Sequence, residues 1–400
     1  MKENIFELTK EELQEIAVNL KKKIELGLKK DGTEILCIPT YINPKEEIEP
    51  GLVLALDWGG THFRAAIVKL SKDKDPVIVE TAKAELSASI VNPLTSKEAL
   101  FAKMTELIAG LKTLNNQVTK IGYCFSYPAE CQTDGDAKLL YWTKEIERPD
   151  MVGKLVGKML MDYLNNDPSI PTTFTDIKVI NDTVACLFAG LSDVGKDAYI
   201  GLIVGTGTNM AGLMQMNKIE KLNYKGRGLL PVNLESGNFN PPYLTVMDGL
   251  VDAMSNNKGR QRFEKAISGG YIGEIFKTVF CEEKIKYNFN GESLSTEMNN
   301  PQDFPEEHVK VATWLFDRSA KLVAASLAGL INVMLEHDAT IKTVCLAADG
   351  SLFWKSSDRY HQLVLDQLHQ LLPDGLVVTL ADEEKMSEAN LIGSAIAAVS

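Results

Sequence analysis

Apolar residues near the N-terminus recur at the spacing of an amphipathic helix. Between positions 8 and 30 they fall at three- and four-residue intervals, at Leu13, Ile16, Leu20 and Ile24. Thr9 and Glu12 precede them in the pattern of a capping box, in which each side chain bonds the other residue's backbone N–H. We therefore predict a helix from Leu8 to about Lys30.

Most other apolar segments are short runs that predict strands, separated by longer segments with helical spacing. Outside two hairpins described below, the predicted strands are 121–125, 178–180, 343–347 and 376–380. The predicted helices are 97–114, 181–190, 260–276, 309–337, 358–372 and 387–399. Residues 43–51 carry two prolines and four charges, which indicates a linker and a boundary near residue 50. This alternation predicts an α/β fold.

Two strand–turn–strand segments carry glycine and threonine at the turn. The first has strands 52–56 and 63–68 around Asp57–His62, and the second has strands 198–204 and 210–214 around Gly205–Asn209. Further strands and helices follow each of them. The repetition predicts two related halves.

A chain of 400 residues exceeds the usual size of one hydrophobic core, so two domains with a cleft between them are expected. The net charge of −12 and the lack of long Lys/Arg runs argue against a nucleic-acid partner. The N-terminal sequence MKENIFELTKEE has no apolar signal region. The longest apolar run, Leu322–Leu335, is interrupted by polar residues and glycine, which predicts a soluble protein without membrane contact.

The six cysteines and five histidines are scattered along the chain without the spacing of a zinc site. Such cysteines are typical of reduced thiols in a cytoplasmic protein, where most act as small buried apolar side chains. A metal cage built by the protein alone is not expected.

The two glycine-containing turns are candidate phosphate loops. The chain has neither a Walker-type loop nor a dinucleotide fingerprint after a first strand. Gly59-Gly60-Thr61 and Gly205–Thr208 can nevertheless form a nest of backbone N–H donors, although a plain hairpin turn is the commoner explanation of each loop taken alone. Asp57, at the end of an apolar strand, could hold the water shell of a Mg²⁺ that accompanies a nucleoside triphosphate.

A second group of residues has the hydrogen-bonding capacity that a polyol requires. A sugar needs paired donors and acceptors for each hydroxyl, and such a site rejects analogues that leave its own groups unpaired. The group comprises Ser126, Tyr127, Thr143, Lys144, Asn181, Asp182, Thr183, Asn209, Glu235 and Glu264. Spacing alone leaves open whether these residues converge or are scattered surface groups.

Ordered motifs along nearly the whole chain resemble the eukaryotic-type hexokinase/glucokinase family of the actin-like ATPase superfamily. LALDWGGTHFR (54–64) resembles the family's LALDLGGTNFR, FSYP (125–128) its FSFP, and NDTV (181–184) its NDTV. Trp142-Thr-Lys144 follows at the family's spacing. GLIVGTGTN (201–209) resembles GLIVGTGxN, NLESG (233–237) resembles NTEWG, and FEKAISGGYIGE (263–274) resembles FEKMxSGxYLGE. Asp349-Gly350-Ser351 stands where the family has its adenosine-contacting DGS.

The resemblance implies a role for each matching residue. Asp182 would be the general base for the sugar's terminal hydroxyl, with Lys144 and Arg64 as further catalytic residues. The implied sugar ligands are Ser126, Tyr127, Thr143, Lys144, Asn181, Asp182, Asn209, Glu235 and Glu264. The implied ATP ligands are Asp57, Gly59, Gly60, Thr61, His62, Arg64, Thr206, Gly207, Gly269, Gly350 and Ser351. Asp57 would hold, through water, the Mg²⁺ that ATP carries.

The resemblance also implies the architecture, a two-lobed actin-like ATPase (ribonuclease H-like) fold with a duplicated βββαβα core and an interdomain cleft. The large domain would contain 1–50 and 183–384, and the small domain 51–182 and 385–400. The expected reaction is ATP-dependent phosphorylation of a D-hexose at its 6-hydroxyl, the first step of glycolysis. Glucose is the first candidate, with mannose and fructose behind it, and a homodimer is left open.

Two other functions remain as alternatives. A sugar-binding regulator could keep the fold without catalysis, although Asp182, Asp57 and Lys144 are all present. An actin-like or chaperone-type ATPase would share the hairpins but would not need the FSYP, WTK and NDT segments.

Several of these residues also have purely structural interpretations. Asp182 could cap the following helix, and Arg64 could be an ordinary charge on a strand face. Lys144 could be a solvated loop lysine. Glu264 could form an i,i+4 ion pair with Arg260.

Three departures from the family pattern bear on the site. His62 replaces the usual asparagine of the phosphate loop, which adds a titratable ring. Ser236 and Asn238 stand where the family has tryptophan and a small residue. The segment Met386–Gly393 lacks the family's GSGxGAA run, so we expect the start of the terminal helix to be rebuilt and sugar preference to be affected.

Overall fold

The computed structural model describes residues 3–45, 47–72, 74–222, 226–280, 289–357 and 359–400. These described residues belong to two compact units. Unit 1 takes the described residues of Met1–Cys37, Gly195–Arg227 and Leu234–Glu383, and unit 2 takes those of Ile38–Val194, Gly228–Asn233 and Glu384–Ser400. Cys281 and the first residue of the helix predicted at 358–372 lie outside the described residues. The domain boundaries implied by the family resemblance stay a prediction.

The strands are, in chain order, β1 (Ile38–Pro39), β2 (Gly51–Trp58), β3 (His62–Ser71), β4 (Lys74–Glu85), β5 (Lys120–Phe125), β6 (Ala129–Cys131), β7 (Ala137–Leu139), β8 (Asp176–Ile180), β9 (Ala198–Val204), β10 (Thr208–Gln215), β11 (Leu229–Asn233), β12 (Thr343–Asp349) and β13 (Val377–Leu380). The α-helices are α1 (Lys10–Lys29), α2 (Ala88–Val91), α3 (Lys97–Ala109), α4 (Val156–Asn166), α5 (Asp182–Gly190), α6 (Val246–Met254), α7 (Arg262–Ile267), α8 (Ile272–Val279), α9 (Gly291–Asn299), α10 (Glu306–His337), α11 (Ser351–Lys355), α12 (Tyr360–Leu371), α13 (Glu383–Met386) and α14 (Ala389–Ala397).

Unit 2 is built on a sheet with the strand order β4-β3-β2-β5-β8. Strands β2, β3 and β4 are antiparallel neighbours, whereas β5 and β8 run parallel to β2. The C-terminal helix α14 lies very close to this sheet and to α5. A Cβ on Gly122 would stand 1.9 Å from the carbonyl oxygen of Ser394, and one on Gly393 would stand 1.8 Å from that of Ala185. Only glycine permits this approach, so α14 is tightly held.

Unit 1 contains the strands β10-β9-β12-β13 of a second sheet, in that order. Strands β9 and β10 form an antiparallel hairpin, and β12 and β13 run parallel to β9. The long helix α10 packs against α1, whose predicted capping box between Thr9 and Glu12 is present. By length and composition α10 is the one helix of the described residues that could cross a membrane, but 78% of its apolar window is buried, as in a core helix.

The two units repeat the same arrangement. In each, an antiparallel hairpin is followed in the chain by two strands that extend the sheet in parallel on the side of the first hairpin strand, β5 and β8 in unit 2 and β12 and β13 in unit 1. Parallel neighbours require helical crossovers, which α3–α4 supply in unit 2 and α6–α12 supply in unit 1. This confirms the prediction of an α/β protein with two related halves.

The spacing of apolar residues predicts secondary structure least well where tertiary contacts interrupt a helix. The single helix predicted over 260–276 is wrong, because the structure has α7 and α8 with a break at 268–271. At this break the backbone N–H groups of Gly269 and Gly270 bond the carbonyls of Gly205 and Thr206, at 2.8 and 3.1 Å. Strand β4 and helices α4, α6 and α9 have no counterpart in the prediction.

Candidate active site

Residues of unit 2 that are predicted to bind sugar and phosphate lie at one edge of its sheet. Strands β2, β5 and β8 are adjacent and parallel, and Asp57, Ser126 and Asp182 stand at or just after their carboxyl ends. The carboxyl ends of parallel strands are where α/β proteins place their ligand sites. Cys124 lies between them, opposite Asp57 on β2, and burial first, then the nearby Asp57 and Asp182 carboxylates, raise the pKa of its thiol.

The first predicted phosphate loop is a three-residue turn, Gly59-Gly60-Thr61, between β2 and β3. Gly60 has a φ of 146°, a conformation that L side chains rarely adopt. Thr61 and His62 are exposed, and His62 begins β3 opposite Glu85 of β4. The structure therefore presents the loop to its surroundings, as a phosphate loop requires, and His62 lies at its rim.

The hairpin register sets Asp57 directly opposite Arg64. Because cross-strand neighbours lie side by side on one face, the two side chains form an ion pair, with Nε and Nη2 of Arg64 at 2.9 and 2.8 Å from Oδ2 of Asp57. The Asp57 residue is only 6% exposed. Arg64 is thus more than a strand-face charge, because it is oriented by the same carboxylate that is predicted to hold the metal's water shell.

Two residues that the sequence did not identify complete this cluster. Glu388 accepts a bond from Nη1 of Arg64 at 2.9 Å, and the amide of Asn390 donates to Oδ1 of Asp57 at 3.2 Å. Burial by itself would lower the pKa of Arg64, but the carboxylates of Asp57 and Glu388 outweigh it and raise that pKa above its usual range. The absence of the GSGxGAA run was the only signal in the sequence, and it marked the segment without indicating these contacts.

Asp182 lies at the N-terminal end of helix α5. The N-cap residue of α5 is Asn181, whose Oδ1 accepts the N–H of Thr183 at 2.9 Å, and Asp182 is the first residue of the helix. Oδ1 of Asp182 accepts the same N–H at 2.8 Å, so its other oxygen takes no part in that capping bond. Asp182 therefore shares the capping bond with Asn181, while its second oxygen stays outside that bond.

Lys144 joins the predicted phosphate loop to the FSYP segment. Its ammonium donates to the carbonyl of Gly59 and, at 3.1 Å, to that of Ser126. Lys144 has a φ of 56°, which turns the chain sharply after Thr143. These contacts are those of a lysine held at the site rather than a freely solvated one.

Tyr127 is placed differently from the other predicted sugar ligands. It is 3% exposed and packs within a cluster of rings that also contains Trp58, Phe125 and Trp142. Lys144 lies 5.2 Å from the centre of its ring. In unit 2, the ring of Tyr127 therefore forms a cation–π contact with the ammonium of Lys144.

In unit 1 the second turn, Gly205-Thr206-Gly207, meets two other glycine-containing segments. Gly269 donates to the carbonyl of Gly205 at 2.8 Å. Gly350, at a φ of 115°, passes so close to Val204 that a Cβ would stand 2.3 Å from its carbonyl oxygen. Ser351 follows as the first residue of α11. The predicted ATP ligands Thr206, Gly207, Gly269, Gly350 and Ser351 are thus brought together within this unit.

The three predicted sugar ligands of unit 1 also form a group. Asn209 follows the turn on β10 and donates to Glu235 at 3.4 Å, and Glu235 adopts a left-handed conformation with a φ of 55°. The carboxylate of Glu264 accepts the backbone N–H of Thr208 at 3.0 Å. The side chain of Glu264 therefore points to the second turn. The alternative, an ion pair with Arg260, is not needed to explain the position of this side chain.

Glu264 carries an electrostatic cost that a ligand could relieve. Burial, supplemented by the neighbouring charge of Glu235, raises the pKa of the Glu264 carboxyl above its usual value. The ionised form is therefore less stable in the folded protein than in the unfolded chain. Hydrogen-bond donors, such as the hydroxyls of a sugar, would favour this form.

Replacing Glu264 by glutamine is expected to stabilise the protein at pH 7 while weakening sugar binding. The neutral amide removes the buried charge, and its oxygen can still accept from Thr208, so the unfolding midpoint should rise by about 2–4 °C, which corresponds to about 1 kcal/mol. Because the folded pKa is raised, this advantage is present above that pKa and disappears below about pH 4, where both states are protonated. Thermal unfolding between pH 3.5 and 7.5 measures it.

The matched control for this prediction is Glu292→Gln on α9, which removes the same charge from an exposed position. Its free energy of unfolding should stay within about 0.5 kcal/mol of that of the unsubstituted protein at every pH. A Glu264→Gln protein that is less stable at pH 7 would show that the carboxylate is a structural anchor.

Comparison with known proteins identifies the class. Two family models described as Hexokinase match residues 2–191 and residues 199–313 with 307–400. The chain is 28% identical to Hexokinase-1 of Spinacia oleracea over 97% of this chain and 87% of the relative. It is 30% identical to Hexokinase-1 of Homo sapiens over 85% of this chain, but spans only 38% of that relative's length. The structure of a hexokinase from Schistosoma mansoni complexed with glucose superposes with a TM-score of 0.77 at 23% identity, covering 99% of this chain and 96% of that one.

The chain shares its fold with the superposed hexokinase structures, in agreement with the predicted fold class. The chain belongs to the hexokinase family, because the two family models together cover almost its entire length. It is therefore a hexose-phosphorylating kinase. The roles of individual residues, and the meeting of the two groups in one cleft, stay predictions.

Proposed function

We propose that this protein transfers the γ-phosphoryl group of MgATP to the 6-hydroxyl of a D-hexose, with glucose as the first substrate to test and mannose and fructose next. The observation that carries the proposal is the placement of Asp57, Ser126 and Asp182 at the carboxyl ends of three adjacent parallel strands. The proposed phosphate loop, sugar-binding segment and general base would thereby share one edge of one sheet. The Schistosoma mansoni relative, which binds glucose, supports the choice of the first sugar.

In the proposed reaction Asp182 acts at the sugar hydroxyl. One carboxylate oxygen takes the proton of O6 as O6 forms a bond to the γ-phosphorus, and the bond from that phosphorus to the bridging oxygen of ADP breaks. A positioned base of this kind contributes about 10²–10⁴-fold to the rate. The remaining demands of phosphoryl transfer are positioning and neutralisation of charge, for which Arg64 and Lys144 are suited.

Asp57 and Asn390 fit the water shell of a magnesium ion. Asp57 offers a carboxylate, and Oδ1 of Asn390 is buried without a hydrogen-bond partner in the described structure. The amide nitrogen of Asn390 faces Asp57, because an ionised carboxylate can only accept, so the orphaned atom is the acceptor. When bound with ATP, Mg²⁺ would supply neutralisation of the phosphate charge.

The family resemblance implies sugar ligands in each unit, Asn209, Glu235 and Glu264 in unit 1 and Ser126, Thr143 and Asn181 in unit 2, and the meeting of the two groups stays a prediction. Carboxylates and amides of this kind can accept from and donate to each hydroxyl. Removing one hydroxyl from the sugar would leave a protein group unpaired, which is the physical basis of strong discrimination.

A panel of hexoses and phosphoryl donors tests the proposal with the purified protein. ADP and hexose 6-phosphate should appear in equal amounts with ATP, Mg²⁺ and glucose, mannose or fructose. No ADP with any of these sugars would overturn the kinase proposal. Sugar binding without turnover would point to a regulator, and ADP formation independent of sugar would point to an ATPase of another kind.

We also propose a cytosolic location and a part in glycolysis. The scattered cysteines support the location, since Cys37 and Cys124 are buried free thiols without the disulfide pairing typical of an oxidising compartment. Fractionation of cells that express the natural protein, with detection by antibody, tests the location. Recovery in a membrane or organelle fraction would contradict it.

A further inference from the structure

We propose that Glu388 competes with the nucleotide phosphates for Arg64, and thereby weakens the binding of the phosphoryl donor. This inference rests on the proposed kinase function. Its structural basis is the contact of Nη1 of Arg64 with Glu388 in the segment where this chain departs from its family.

Arg64 does not need Glu388 for its orientation. Asp57 already binds both Nε and Nη2 of the guanidinium, which fixes the plane of the group against strand β2. Asp57 is itself held by the amide of Asn390. Glu388 therefore binds the remaining end of the guanidinium, which is the end that a phosphate could reach.

Glu388 does not serve the helix that it precedes. It occupies the N-cap position of α14, but its side chain makes no capping hydrogen bond. Its carboxylate instead accepts the hydrogen bond from Nη1 of Arg64. Replacing the side chain therefore removes no bond on which α14 depends, and α14 remains held by the close glycine contacts with β5 and α5.

The local charge favours displacement of Glu388 over a permanent contact. Asp57, Arg64 and Glu388 together carry one net negative charge, which opposes the approach of a triphosphate. Side chains are 8% exposed at Asp57 but 44% at Glu388, so the outer carboxylate is the one that can turn into solvent. An arriving phosphate oxygen would replace it on Nη1 while Asp57 keeps its two bonds.

The test is Glu388→Gln, which keeps the size of the side chain and removes its charge. An exposed ion pair contributes at most about 1 kcal/mol, so the KM for MgATP should fall by about two- to fivefold. The KM for hexose should stay within experimental error, and kcat should change less than the KM for MgATP. Titration calorimetry with Mg²⁺ and a non-hydrolysable ATP analogue should give the same decrease in Kd.

Two further variants separate competition from a general charge effect. Glu383→Gln removes an equal charge five residues earlier and should leave the KM for MgATP unchanged. Glu388→Asp keeps the charge on a shorter arm and should behave between the other two. An unchanged or raised KM and Kd for the nucleotide in Glu388→Gln would overturn the inference, since Glu388 would then be a support of Arg64. Absence of turnover in the unsubstituted protein would instead contradict the kinase proposal itself.

Discussion

Replacing Asp182 by alanine is expected to lower the turnover number for hexose phosphorylation by at least about a hundredfold, within the 10²–10⁴-fold range of general base catalysis. Sugar affinity should change by less than about tenfold, because the other predicted sugar ligands remain in place. Steady-state kinetics with calorimetric measurement of glucose binding distinguishes the two quantities. Turnover should fall because one carboxylate oxygen of Asp182 takes no part in the bond to the N–H of Thr183 and is the proposed proton acceptor.

Asp182→Asn and Asp162→Asn provide the controls for this substitution. Asparagine at 182 keeps an acceptor for the N–H of Thr183 but cannot take a proton, so it should lose rate as alanine does while retaining thermal stability. Asp162, on the exposed surface of α4, should be neutral in both respects. If Asp182→Ala lost binding and turnover equally and also melted earlier, Asp182 would be a structural element of α5.

Replacing Asp248 by alanine is expected to destabilise unit 1 by about 3–5 kcal/mol. Asp248 on α6 and Arg318 on α10 have side chains that are 2% and 1% exposed, and their two hydrogen bonds measure 2.7 and 2.9 Å. Alanine would leave the guanidinium buried without a counter-charge. Urea unfolding, followed by a probe within unit 1, should show the lower transition midpoint.

A second substitution identifies the source of this cost. Combining Asp248→Leu with Arg318→Met removes both charges and should recover most of the lost stability, since an apolar pair can replace a buried ion pair. Burial would raise the pKa of Asp248, but Arg318 outweighs it and the net shift is downward. The contribution of the pair is therefore present at neutral pH and is lost only as the pH falls through that lowered pKa. If the double variant were as unstable as Asp248→Ala, packing rather than unpaired charge would be responsible.

The local sequence was sufficient for the elements whose stability is local. The amphipathic period and capping box predict α1, and short apolar runs predict β5, β8, β9 and β12. The glycine-containing turns predict both hairpins, although each turn is shorter than expected because pairing extends to Trp58 and Phe63 in the first hairpin and to Val204 and Thr208 in the second. Periodicity fails at residues 268–271, where bonds from Gly269 and Gly270 to the second turn end the helix.

The sequence also predicted which residues lie at the site, but it did not predict which of them contact one another. Asp57 and Arg64 were predicted separately, one for the metal's water shell and the other for phosphate, and only the hairpin register makes them an ion pair. Glu388 and Asn390 are more than 320 residues away in the chain from Arg64 and Asp57, as separations of 324 and 333 show. No periodicity or motif can relate residues so far apart.

The amino-acid sequence by itself determined the class of this protein, because α/β alternation, the repeated glycine turns and the ordered motifs are properties of contiguous residues. The tertiary structure decided which charges face one another, because the approach of α14 to β5 and α5 depends on Gly122 and Gly393 from distant segments. That approach carries Glu388 to Arg64 and Asn390 to Asp57. Pairwise electrostatics depends on separations in space, and only the packed chain defines these separations.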